Sequence, residues 1–210
     1  FIKQRINKVY RRNADVIYPP VDTDYYSLAP AIRREDFFLC ASRMVPYKKM
    51  DLIVEAFANM PDKRLVVIGD GPEMKKVQSK SRGNVEILGY QSRDALRNYM
   101  QRAKAFVFVA EEDFGIIPVE AQACGTPVIA CNKGALRETV IENETGVLFE
   151  EQTVESLIEA VEKFEAEQAR FDERAIRQHA ESFSISRFKL QIQSYVERRH
   201  KEFQGLEEQR

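Results

Sequence analysis

Imidazoles and thiols are scarce in this sequence: His179 and His200 are its only histidines, and Cys40, Cys124 and Cys131 its only cysteines, in 210 residues. An odd number of thiols, each in or beside an apolar segment, argues for small buried side chains and against a disulfide framework. With so few histidines, it also argues against a zinc site. No apolar run approaches the roughly 20 residues needed to cross a bilayer. The opening FIKQRINKVYRRN is basic and lacks the apolar block of a signal peptide. A cytoplasmic location is expected, with the inner face of a membrane as the alternative. Neither charge is in excess, since 32 Lys and Arg stand against 33 Asp and Glu. The totals therefore give no reason to expect nucleic acid as the principal partner, and any anion must be recognised locally. The frame Gly69-Asp70-Gly71-Pro72-Glu73-Met74 lacks the third glycine of a dinucleotide fingerprint, and no G-x-x-x-x-G-K-[ST] phosphate loop occurs. An NAD site of the Rossmann kind and a P-loop ATPase are thereby disfavoured. Internal repeats and low-complexity tracts are absent as well. The chain opens on Phe1 rather than Met, as a fragment or processed chain would.

What is present is a succession of short apolar runs: FFLCA (37–41), RLVVIG (64–69), VEIL (85–88), KAFVFVA (104–110), PVIA (127–130) and GVLF (146–149). They are mostly continuous rather than alternating, which fits strands buried on both faces of a parallel sheet. Between them lie stretches with helical spacing. Residues 51–60 place Leu52, Ile53, Ala56 and Phe57 on one side, and residues 93–103 do so with Leu96, Met100 and Ala103. Strand alternating with helix predicts an α/β fold, a doubly wound Rossmann-like parallel sheet of about six strands over residues 36–165, with right-handed crossovers. Residues 1–35 read as an N-terminal segment and interdomain linker, because two prolines and an Asp-Thr-Asp cluster in ADVIYPPVDTDYYSLAP rule out a long regular element. Residues 166–210 read as a C-terminal helical extension. Its stripe of Phe183, Ile185, Phe188, Ile192, Tyr195 and Val196 is expected to pack on its own domain, with docking on an absent partner as the alternative.

Ligands of open parallel sheets bind at the carboxyl ends of the strands, and four strand-end loops carry unusual residues. After the first run come Arg43 and Lys48, a fixed guanidinium fork and a mobile ammonium suited to a diphosphate, or else a solvated basic loop. After the second come Gly69 and Gly71, which permit a tight turn with or without a ligand beside it. Gly89, Tyr90 and Gln91 follow the third and offer backbone groups to a flat ring, as an ordinary loop also would. The fourth loop is the richest. In EEDFGIIPVEAQAC a strand end leads through Gly115 into a short helix that tolerates Pro118 in its first turn and stops at Gly125. The helix start supplies free N–H groups and a positive dipole end for phosphate. Glu112 hangs from the strand end and Glu120 sits farther along the helix. Carboxylates accept from hydroxyls and repel phosphate, so the two acids suit the hydroxyl-rich ends of a nucleotide-sugar around its charged middle.

At these residues the chain resembles the C-terminal, donor-binding half of retaining GT-B glycosyltransferases of group 1, family 4. The hallmark is a Glu, seven residues, then Glu, here EDFGIIPVE from Glu112 to Glu120. VIYPPVDTDYY, SRMVPYKKMD, IGDGPE, VEILGY and ETGVLF accompany it in the family's order, so the resemblance runs from Val16 to about Phe164. It implies that Arg43 and Lys48 bind the donor diphosphate and act in catalysis with Glu112, which holds sugar hydroxyls. It further implies that Phe114, Gly115 and Ile116 offer backbone N–H groups, that Glu120 accepts from the ribose, that the loop from Gly89 to Gln91 borders the base, and that Gly71 lies at the donor. Relatives often have Lys-Gly where this chain has Lys48-Lys49, and register selects Lys48 as the phosphate ligand. Neither a cofactor nor a metal is implied. The expected function is transfer of a hexose from a nucleoside diphosphate sugar, with retention, to a glycan or lipid-linked acceptor. Mannosyltransferases of surface-polysaccharide assembly look closest, which favours GDP-mannose, with UDP- or ADP-sugars as alternatives. The family also carries an N-terminal acceptor domain with a catalytic histidine, to which nothing here corresponds, so the isolated chain is expected to bind without turnover. A non-catalytic nucleotide-sugar-binding module is the rival; a nucleotide-sugar epimerase is a second, less suited to the spaced glutamates.

Overall fold

A computed structural model of the chain describes residues 1–29 and 31–207. The six apolar runs form strands β1 (Phe38–Ala41), β2 (Leu65–Ile68), β3 (Val85–Gly89), β4 (Ala105–Phe108), β5 (Val128–Cys131) and β6 (Gly146–Phe149). All pair in parallel, in the order β3-β2-β1-β4-β5-β6. This is the doubly wound order. Several ends differ from the sequence expectation by a residue or more. The fourth run was expected to be a strand through residue 110, yet Val109 and Ala110 are buried in the following loop and join no ladder. Burial alone lengthens an apolar run without lengthening the strand.

The continuous apolar runs are explained by coverage on both faces. In β1, Phe38 and Cys40 point into one core and Leu39 and Ala41 into the other. The first core is closed by α2 (Met50–Ala58), α3 (Met74–Lys80) and α7 (Val154–Ala166), through Ile53, Phe57, Val77, Leu157 and Phe164. The second is closed by α4 (Arg93–Arg102), α5 (Ile116–Ala123), the single turn α6 (Leu136–Thr139) and α8 (Glu173–Glu181). Each fully buried Leu, Ile, Val or Phe contributes about 1.5–3 kcal/mol relative to exposure. All three cysteines are buried free thiols, and burial pushes the Cys124 thiol up to about 12.

The ends of the chain hold more structure than their composition suggested. Residues 2–10, expected to be part of a linker, form α1 (Ile2–Tyr10), a helix that buries none of its residues. The stretch before β1 has no long regular element, yet it is fixed in place. Val21, Thr23 and Tyr26 are buried, and Val21 bridges Ser184. Arg177 on α8 donates to the carbonyls of Thr23 (2.6 Å), Ala123 (3.0 Å) and Tyr26, stapling that stretch to α5. Beyond α7 the helical region breaks at a 3-10 turn, Gln168–Arg170, into α8 and α9 (Ile185–Glu207). Only part of the expected stripe packs on the domain. Phe183 is buried against Phe114 and Tyr18, whereas Ile185, Ile192 and Val196 are exposed. Among the described residues no helix is long and apolar enough to cross a membrane.

The strand order reverses between β1 and β4, which pair only through Phe38 with Ala105 and Leu39 with Phe106. Beyond the carboxyl ends of these two strands the chain splits in opposite directions and opens a crevice.

Candidate functional site

From the end of β1 the chain runs through Arg43 and a 3-10 turn, Pro46–Lys48, into α2. From β4 it runs through Glu112 to α5. These two loops meet: the Lys48 ammonium pairs with the Glu112 carboxylate, and both side chains are mostly shielded, at 16% and 20% exposure. The Lys48 ammonium also lies 5.5 Å from the centre of the Phe108 ring. Lys49 takes a left-handed conformation (φ 54°) between the 3-10 turn and α2. That position favours glycine sterically, and it turns Lys49 outward while Lys48 enters the crevice.

Glu112 is held from behind. Its carbonyl accepts from Ala135 N (2.9 Å), and it bridges Gly134 in the loop after β5. Gly134 has φ +66°, and a Cβ there would lie 2.4 Å from the Glu112 carbonyl oxygen. A glycine more than twenty residues away thus decides where this carboxylate can stand.

The neighbouring helix starts where the sequence indicated. Gly115, at φ 81°, is the N-cap of α5, and no side chain caps the helix. The first-turn N–H groups and the positive dipole end are left open to an anion. Phe114 is buried, its ring tilted against Tyr18 and edge-on to Phe183, so only its backbone is free to serve a ligand. Ile116 is exposed and Ile117 lines a cavity.

That cavity, about 440 Å³, is bounded by Arg43, Gly69, Asp70, Tyr90, Gln91 and Ile117, among others. Arg43 is exposed, and among the described residues its guanidinium has no hydrogen bond or ion pair. Gly69 is obligatory here, since a Cβ would fall 1.9 Å from the Ser42 carbonyl oxygen. Gly71 and Gly89 stand behind the lining: the Gly71 amide is taken by Asp70 Oδ1 at 2.6 Å, and the Gly89 carbonyl by Gly69 N at 2.9 Å. Tyr90 is 80% exposed, and Gln91 donates to the Leu88 carbonyl at 3.0 Å. A larger cleft of about 510 Å³ opens on the other side of these loops, between Tyr47, Lys49, Glu111, Asp113 and α1. Its charges partly cancel, as Arg5 pairs with Asp113 at 3.2 Å.

Glu120 stands one turn beyond Ile117 on α5. Burial pushes its carboxyl up to about 7, with the positive charge of Arg93 opposing that rise. Arg93 opens α4, two residues after Gln91, and pairs with Asp22 at 2.8 Å. The crevice therefore brings Arg43, Tyr90 and Gln91 around one cavity and Lys48 with Glu112 at the start of α5. Glu120 is set at the far side beside Tyr26 and Arg93. Sequence reasoning did not single out Asp22, Tyr26, Arg93 or Gly134. The Asp-Thr-Asp-Tyr-Tyr stretch reads as an extended linker, and nothing local ties it to residue 93. Among the described residues no group of three or more His, Cys, Asp or Glu side chains is placed to share a cation.

Positive groups and an open helix start in the middle, with carboxylates on either side, form an arrangement that can receive a diphosphate flanked by hydroxyl-bearing rings. The family described as Glycosyl transferases group 1 matches residues 29–182. An uncharacterized glycosyltransferase of Methanocaldococcus jannaschii is 30% identical over 167 residues, covering 77% of this chain and 46% of that protein. The GDP-mannose-dependent alpha-(1-6)-phosphatidylinositol monomannoside mannosyltransferase of Mycobacterium tuberculosis is 30% identical over 170 residues, covering 68% of this chain and 44% of that protein. The chain thus spans less than half the length of either relative. Among solved structures, HepE of Anabaena in complex with UDP and glucose superposes with a TM-score of 0.74 at 21% identity, over 87% of this chain and 56% of that one.

Proposed function

The chain belongs to the glycosyl transferases of group 1, and we propose that it is the donor-binding half of a retaining hexosyltransferase that uses a nucleoside diphosphate sugar. The observation that carries this reading is the meeting of Lys48 with Glu112 beside the uncapped start of α5. A cation, a hydroxyl acceptor and free N–H groups stand together there, next to a cavity holding the unpartnered Arg43. In this reading Arg43 and Lys48, with the amides of Gly115 and Ile116, take the diphosphate. Glu112 accepts from the sugar, Glu120 from the ribose, and the loop of Tyr90 and Gln91 borders the base. Negative charge grows on the departing diphosphate as the glycosidic bond breaks, and the two cations and the helix end are already aimed at it. Preorganised charge of this kind lowers the barrier without a reorganisation cost.

The mannosyltransferase relative supports mannose as the hexose and GDP as its carrier, whereas the HepE complex supports a UDP-sugar. The two curated relatives are each matched over less than half of their length, which supports an acceptor site formed with a further domain. These 210 residues alone then bind donor without turning it over. Calorimetric titration with UDP, GDP and ADP and with their hexose conjugates tests the reading. One conjugate is expected to bind more tightly than its bare nucleotide, and Arg43→Ala is expected to weaken it about 10- to 100-fold, as loss of a charged hydrogen bond does. Equal binding of nucleotide and conjugate would leave a nucleotide-binding module in place of a transferase half.

A further inference from the structure

Lys48 and Glu112 have different tasks in the donor-binding reading, one toward phosphate and one toward sugar, yet here they hold each other. They reach the pair from separate loops, after β1 and after β4. Among the described residues neither side chain has another hydrogen bond or ion pair. The Lys48 ammonium lies 5.0 Å from the centre of the Tyr47 ring and 5.5 Å from that of Phe108, so aromatic faces and one carboxylate make up its surroundings. The neighbouring acid Asp113 is engaged elsewhere, by Arg5 at 3.2 Å. Of the two cations assigned to the diphosphate, Arg43 thus stands open and Lys48 is neutralised. Stability is a poor reason for such a pair, because desolvating two shielded charges offsets most of their attraction.

We infer that the Lys48–Glu112 pair is an exchangeable latch that sets the preference for a sugar conjugate over the bare nucleotide and favours release of the spent nucleotide. This rests on the donor-binding reading above. A diphosphate arriving at Lys48 competes with the Glu112 carboxylate for the same ammonium. Lys48 has three donors, but serving both ligands at once sets two anions against each other. When the ligand carries a hexose, the displaced carboxylate accepts from sugar hydroxyls instead. A bare diphosphate offers it nothing and leaves a shielded anion without a partner. Return of the carboxylate to Lys48 then drives the nucleotide out. The backbone of Glu112 stays in place throughout, held by the Ala135 amide at 2.9 Å and by the close approach of Gly134, so the exchange needs only side-chain rotation. Once the hexose has been transferred, the nucleoside diphosphate left behind is the disfavoured species. Part of the discrimination is therefore directed against the wrong ligand rather than toward the right one.

The test is a double-mutant cycle read by calorimetric titration with UDP, GDP, UDP-glucose and GDP-mannose. Glu112→Gln is expected to bind the bare nucleotide about 3- to 10-fold more tightly than the wild type, the low end of coupling between contacting charges. The same variant should bind the conjugate several-fold more weakly. In a Lys48→Met background, where no ammonium is there to be freed, Glu112→Gln should raise nucleotide affinity by about twofold at most. Thermal melts check the folding of each variant, and Glu112→Ala, with the same expected signs, replaces Glu112→Gln should the latter melt early. Unchanged or weaker nucleotide binding in Glu112→Gln would overturn the inference. So would an equal gain in the Lys48→Met background, which would reduce the effect to plain repulsion between Glu112 and phosphate. A wild type that binds neither nucleotide nor conjugate would remove the donor-binding reading itself, and that first titration tells the two failures apart.

Discussion

Replacing Glu120 by glutamine should make the protein more stable while making it a poorer binder. Burial raises the carboxyl from the ordinary 4.5 to about 7, so the folded chain holds a proton that the unfolded chain releases. The sign follows from that. Between the two values the unfolded state binds fewer protons, so stability falls as pH rises from about 4.5 to about 7 and is level beyond. A shift of this size corresponds to about 3 kcal/mol as a ceiling. Glu120 is only partly sealed from water, and screening lowers the expected effect to about 1–2 kcal/mol. Glutamine keeps the shape and an acceptor oxygen but carries no charge to desolvate. Urea denaturation of both proteins at pH 5, 6, 7 and 8 isolates this group, because every other titration cancels in the difference. The variant should exceed the wild type by about 1–2 kcal/mol at pH 8 and by about a quarter to a half of that at pH 5. A difference that is flat across this range, or that favours the wild type more as pH rises, would refute the burial of this charge. The gain would be bought with function, as is usual for groups held in unfavourable places at binding sites.

Two further substitutions probe the loops that aim Lys48 and Glu112. Lys49→Gly relieves a left-handed residue at φ 54° and should raise stability by about 0.5–1 kcal/mol in thermal melts with donor affinity unchanged; a lowered melting temperature would contradict the steric argument. Gly134→Ala puts a Cβ 2.4 Å from the Glu112 carbonyl oxygen at φ +66°. It should cost about 2 kcal/mol or more and weaken binding of the sugar conjugate more than that of the bare nucleotide. Calorimetry showing both ligands equally affected would mean that Glu112 does not touch the sugar.

Most of the scaffold could be read before any coordinates, because a strand buried on both faces must be written as an uninterrupted apolar run, and six such runs are hard to mistake. The positions of Glu112, Gly115 and Lys48 were legible for a related reason: each lies between a strand end and the helix that follows it, so its place at the sheet's rim follows from counting along the chain, and Glu120 follows from one turn of α5. Tyr26 and Arg93 were not legible. Their approach depends on the stretch before β1 crossing over α5 and being tied down by Arg177, and side chains separated by so much chain leave no local periodicity. α1 is a different case: Ile2, Ile6, Val9 and Tyr10 stand at helical spacing, but in a short basic stretch whose helix buries none of them. The boundaries at β4 and β5 slipped because loop residues such as Val109 and Ala110 are as buried as the strand itself.

The narrow join between β1 and β4, Phe38 with Ala105 and Leu39 with Phe106, runs directly beneath the place where Lys48 meets Glu112. The molecule is thus two three-stranded leaves stitched along a short spine, and each leaf carries one partner of that ion pair. Both packed cores cross that spine, so a ligand that engaged Lys48 and Glu112 together would tie one leaf to the other at the rim where the sheet itself joins them least.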